Sequence, residues 1–131
     1  MSRLRIKSQL LFFLCFCSII AARPENQKAL TDTSLISGYL SKAADAQADT
    51  AIRIYNTAIS ATEKCLREGG SKAYMLALKR KLIKARLGLG LAYYNKIEYP
   101  KAMDLYKLAL KEAGDIGETG LIAERYFNIA E

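Results

Sequence analysis

Histidine is absent from the 131-residue chain, and with it the side chain that titrates nearest neutral pH. That removes Ser-His-Asp and Cys-His nucleophile pairs, imidazole-dependent zinc sites and the usual general base. Tryptophan is also absent; two prolines and eight glycines exclude collagen-like and Pro/Gly-rich low-complexity chains. No window alternates apolar and polar residues with period two, so no strands are expected. No acid pair, metal cluster or phosphate loop stands out. Gly88-x-Gly90 lies within a helical stretch rather than after a strand, so it is no dinucleotide fingerprint. Asp104, Glu112 and Asp115 are spaced as solvated helix positions. No catalytic residue, metal or cofactor is expected, and the chain reads as a non-enzyme.

What is present is ordinary for one folded domain: 51% hydrophobic and 25% charged residues. Arg3, Arg5 and Lys7 precede an uncharged run from Leu10 to Ala22. A spanning helix needs about 20 apolar residues, so this run fits the core of a secretory signal peptide, with Ala21-Ala22 for cleavage. The expected product is exported, periplasmic or extracellular. The alternative is a chain anchored in the membrane through residues 10–22. Removing residues 1–22 leaves 17 basic and 13 acidic side chains, so the net charge falls from +7 to +4. Cys15 and Cys17 leave as well, and Cys65 remains without a disulfide partner; its place in an apolar stripe reads as a buried small hydrophobe.

Residues 23–32 read as a flexible polar lead-in. The spacing then predicts helices over about 34–46, capped by Thr31 or Thr33, and 50–67, capped by Asp49. A third runs over about 72–97, and a fourth from Pro100 to Gly114. A fifth begins within 118–131. Ala51, Tyr55, Ala58, Thr62 and Cys65 lie on one face of the second helix. The third carries two stripes, Met75, Leu78, Leu82, Ala85, Leu89 and Ala92 on one side and Leu76, Ile83, Leu87 and Tyr94 on another. Two stripes imply neighbours on two sides, as in an inner helix of a stack.

An internal pattern repeats: Ala51-x3-Tyr55-x2-Ala58 and Ala102-x3-Tyr106-x2-Ala109, the second preceded by Leu89-Gly90-x2-Tyr93. Small residues at fixed offsets let helices approach closely, and tyrosine fills the gap between layers. The combination resembles the tetratricopeptide repeat. One clear unit covers about 83–116, a degenerate one about 34–67, and an incomplete one 118–131. Arg86 stands where the family often has Trp, and Gly114 where it often has Pro. The resemblance implies an all-α fold, antiparallel helix hairpins stacked as a short superhelical array. The arrangement is similar to the extracytoplasmic N-terminal repeat region of bacterial sensor kinases and regulators. Without a complete third unit, the array reads as open at its far end.

Peptide-binding positions carried over from the family are Lys84, Leu87, Leu91, Tyr94 and Asn95. Leu87 and Leu91 replace polar residues that clamp a carboxylate in some members, so an apolar or extended segment is the expected ligand; the alternative is that both leucines pack against a neighbouring repeat. Tyr93, Tyr94, Tyr99 and Tyr106 read as interlayer core. No acidic residue interrupts the basic stretch of Lys72, Lys79, Arg80, Lys81, Lys84 and Arg86. It reads as a solvated face, or else as a surface for an acidic peptide, nucleic acid or lipid head groups; export disfavours nucleic acid. The expected function is an exported module that binds another protein, a peptide or its own downstream domains in signalling. The alternatives are a structural scaffold subunit of an envelope assembly and the non-catalytic part of an enzyme.

Overall fold

The computed structural model describes residues 24–120 and Ile122. The signal-peptide reading of residues 1–22, and residues 121 and 123–131 of the incomplete repeat, lie outside them. Four helices follow one another: α1, Pro24–Ala44; α2, Ala48–Glu68; α3, Lys72–Asn95; and α4, Tyr99–Asp115. Helical backbone resumes at Gly120 and Ile122, and there is no strand among the described residues. The connections 45–47, 69–71 and 96–98 are short turns, so consecutive helices reverse direction. α2 packs on α3, and α3 on α4. The fold is therefore an all-α array of neighbouring antiparallel helices. The chain divides into two compact units, 1–31 and 32–131, with the boundary inside α1; the packing below is that of the second unit.

Two helix starts differ from the sequence reading. Residues 24–32, expected as a lead-in, belong to α1. Thr31 is not its cap: the hydroxyl donates to the Gln27 carbonyl 2.9 Å away, as a threonine inside a helix does. Pro24 suits a first helical position, where the missing N–H costs nothing. Asp49 likewise lies inside the first turn of α2, whose N-cap is Gln47 with no side-chain cap bond. Its carboxylate still favours the positive end of the helix. The stop after α2 is at the expected glycine, Gly69, whose φ of 77° is one that glycine adopts without steric cost. Ser71, read only as part of that stop, also caps α3 by accepting from the Tyr74 N–H.

α3 is the inner helix, and its two stripes go to different neighbours. Ala85, Leu89 and Ala92 form one cluster with Ala51, Tyr55 and Ala58 of α2 and Ala43 of α1. Ile83 and Leu87 form another with Ala102, Tyr106, Ala109 and Ala113 of α4 and with Ile122. Two glycines make both approaches possible. A β-carbon at Gly88 would stand 2.5 Å from the Tyr55 hydroxyl oxygen. One at Gly90 would stand 2.7 Å from the Tyr106 ring. Residues two apart on a helix point to nearly opposite sides. Each repeated tyrosine thus lies on its own glycine, one per face of α3. Glycine inside a helix costs about 1 kcal/mol relative to alanine, which the ring contacts offset.

Candidate functional site

With two faces of α3 covered, what remains is the line Lys84, Leu91 and Asn95, spaced by seven and four residues. All three are exposed, Leu91 to 38%. Leu87 does not join them. It is 5% exposed and packs toward α4, because three residues before Gly90 it falls on the α4 side of the helix. Tyr94 is half-buried, its ring centroid 5.1 Å from that of Tyr99. Of the five carried-over positions, the structure brings three onto one open face, places Tyr94 at its edge and buries Leu87.

The residues assigned to repeat packing lie where the two interfaces need them. Ala51, Tyr55, Ala58, Leu89, Gly90, Ala102, Tyr106 and Ala109 are buried, and Tyr93 is half-buried. Tyr93 packs against both clusters and receives the Lys101 ammonium 5.1 Å above its ring. Tyr99 departs from the core reading, 48% exposed: it is the first residue of α4, beside the turn, with the Tyr94 ring against it. Cys65 also departs. It is half-buried, whereas Ala58 and Thr62 of that stripe are fully buried, the Thr62 hydroxyl donating to the Ala58 carbonyl.

The basic stretch dissolves into separate roles. The Arg80 Nε donates to both Glu118 oxygens, at 2.7 and 2.9 Å. This pairing holds the Glu118 carboxyl below its ordinary pKa. Arg86, only 11% exposed, donates to Glu63 of α2 at 2.9 Å and to Glu112 of α4. It therefore ties together the two helices that flank its own. Burial lowers its pKa, opposed by the Glu63 charge. The sequence pattern points to neither carboxylate, and Glu112 has the spacing of a solvated position. The available signal was an arginine placed between Ala85 and Leu87, where a solvated side chain was out of place. Lys81 donates to Ser37 of α1 at 2.5 Å. Lys72, Lys79 and Lys84 are exposed.

At the α3–α4 turn the cations pair with carboxylates of the turn and of α2. Lys96 reaches Asp49 at 2.5 Å, and Lys101 pairs with Glu98. The Lys101 hydrogen bond holds the Glu98 carboxyl below its ordinary pKa. Between them Ile97 is 72% exposed with a φ of 66°, left-handed geometry that a β-branched residue rarely adopts. On the outer side of α2, Asn56, Thr57, Ser60, Ala61 and Lys64 line a shallow open depression. At the other end of the array the Tyr74 hydroxyl donates to Asp32 at 2.9 Å. Burial and that carboxylate push the phenol well above its ordinary range. Among the described residues no group of three or more His, Cys, Asp or Glu could hold a metal ion. No described helix is long and apolar enough to cross a membrane. No protein-family model, curated protein or solved structure matches the chain.

Proposed function

We propose that the chain is a tetratricopeptide-like module that binds an extended polypeptide along the exposed face of α3, and that it has no catalytic role. The observation that carries this reading is the third face of α3. The helix is packed on two sides, yet keeps Leu91 open between Lys84 and Asn95. An apolar contact flanked by a cation and an amide suits a peptide, which offers side chains for the one and backbone for the other. Support for the repeat reading comes from the paired tyrosine–glycine contacts, Tyr55 on Gly88 and Tyr106 on Gly90. They give the two Ala-x3-Tyr-x2-Ala copies the same packing role against one inner helix. The basic start and the apolar run 10–22 place this activity outside the cytoplasm in our reading, with signalling rather than scaffolding as its use.

The test is selection of binders from a displayed random-peptide library by the full chain, followed by Leu91→Asp. Buried nowhere in the core, Leu91 can take a charge without unfolding the array, as can Leu108 on α4, which is also exposed. Selected peptides should lose binding to Leu91→Asp and keep it with Leu108→Asp. They should also shift the backbone amide signals of residues 84–95. Binding that survives Leu91→Asp, or that maps instead to the depression on α2, would overturn the proposed surface.

A further inference from the structure

Of the four lysines on α3, Lys72, Lys79, Lys81 and Lys84, the last two are set apart by lying one helical turn from each other and by the contact that Lys81 receives from α1. Arg80, Arg86, Lys96 and Lys101 each face a carboxylate. Among the described residues Lys81 and Lys84 face none; their surroundings offer a hydroxyl and each other. The Lys81 ammonium donates to Ser37 Oγ on α1 at 2.5 Å. That hydroxyl is itself fixed, since its proton goes to the Thr33 carbonyl at 2.8 Å. Ser37 therefore holds Lys81 in place and spends one of its three ammonium donors, leaving two. Lys84 follows three residues later, which on a helix makes the side chains neighbours. Burial and the Lys84 charge both lower the Lys81 pKa, as two cations do when no anion lies between them.

We propose that Lys81, positioned by Ser37, and Lys84 form a subsite for the side-chain carboxylate of an acidic residue in the bound polypeptide. The inference rests on the polypeptide-binding reading and names the chemistry at one end of that surface. A carboxylate there would accept from both ammonium groups and relieve their repulsion. Leu91 fixes the distance to the next contact. It lies seven residues beyond Lys84, about 10 Å along the helix. An extended peptide advances about 3.3 Å per residue. The preferred segment therefore carries Glu or Asp with a large apolar residue three positions away.

Two capped peptides, one with Glu and one with Gln three positions from a leucine, should be titrated into the full chain. Inorganic phosphate is a third probe, and the lysine side-chain nitrogens are followed by NMR. The expected result is saturable shifts at Lys81 and Lys84, with the Gln peptide about tenfold weaker. Lys84→Gln should abolish the preference for Glu over Gln; Lys79→Gln, an exposed lysine elsewhere on α3, should leave it intact. Equal binding of the two peptides would overturn the carboxylate subsite while leaving the polypeptide surface standing. Failure of both would overturn the subsite too, and the surface with it only if the library also yields no binder. Saturation of the two lysines by phosphate, with equal peptide binding, would assign the pair to a free anion instead.

Discussion

At the scale of single residues, three glycines that look alike in the sequence have opposite roles. Gly38 lies on an exposed part of α1 with nothing within 4 Å of an added β-carbon. Gly38→Ala should therefore stabilise the protein by about 0.5–1 kcal/mol, the usual gain at an open helical site. At Gly88 and Gly90 the same gain is available, but the added carbon meets a buried tyrosine ring. Displacing such a ring costs about 1–3 kcal/mol, so both substitutions should be destabilising overall. Urea melts decide it, and a stabilised Gly90→Ala would mean that Tyr106 is not seated on α3. Ile97 runs the other way. Left-handed geometry costs a side chain with a β-carbon about 1–2 kcal/mol. Ile97→Gly removes that cost but loosens the unfolded chain, so a net gain of roughly 0.5–1 kcal/mol is expected. An unchanged urea midpoint would show that the turn holds Ile97 without strain.

At the scale of elements, Arg86 makes α3 more than a spacer. A nearly buried guanidinium with one carboxylate from each flanking helix is costly to break from either side. Arg86→Ala should cost about 3–5 kcal/mol, because Glu112 is left in a largely buried place with no cation. Arg86→Met, which keeps volume and removes charge, should recover part of that when Glu63 and Glu112 are both changed to Gln. A double-mutant cycle between Arg86 and Glu112 measures the coupling; additivity within about 0.3–0.5 kcal/mol would make the contact energetically idle. This clasp also marks the limit of what periodicity reveals. The two stripes of α3 and the Ala-x3-Tyr-x2-Ala copies were legible because apolar burial leaves a 3.6-residue signature. Ion pairs between helices leave none, since they join residues 23 and 26 positions apart. The start of α1 was hidden for a related reason: residues 24–32 are polar, and helix without an apolar stripe looks like lead-in. Of the carried-over peptide positions, Leu87 was misplaced because one stripe residue cannot be both interface and open surface.

At the scale of the whole array, stability should be divided by neighbour rather than shared evenly. α3 is covered on both sides, whereas α2 and α4 each depend on one face of it. In a stack of this kind the free energy is close to a sum of element stabilities and nearest-neighbour interfaces. Amide hydrogens over residues 83–92, where both clusters and both glycines lie, should therefore exchange most slowly. The two glycine substitutions then become probes of how far a defect travels. Gly88→Ala loosens the α2 side, so exchange should rise in α2 more than in α4. Gly90→Ala loosens the α4 side and should do the reverse. Arg86 works against this separation, since it grips α2 and α4 at once, as does Tyr93, which packs against both clusters. With Arg86→Met in the background, the two patterns should separate further. If either substitution instead raises exchange uniformly through α2, α3 and α4, the three helices open as a single cooperative unit and the nearest-neighbour description fails. If the patterns are already distinct and Arg86→Met leaves them unchanged, the defects are confined by packing alone, and the arginine adds stability without carrying any coupling between the outer helices.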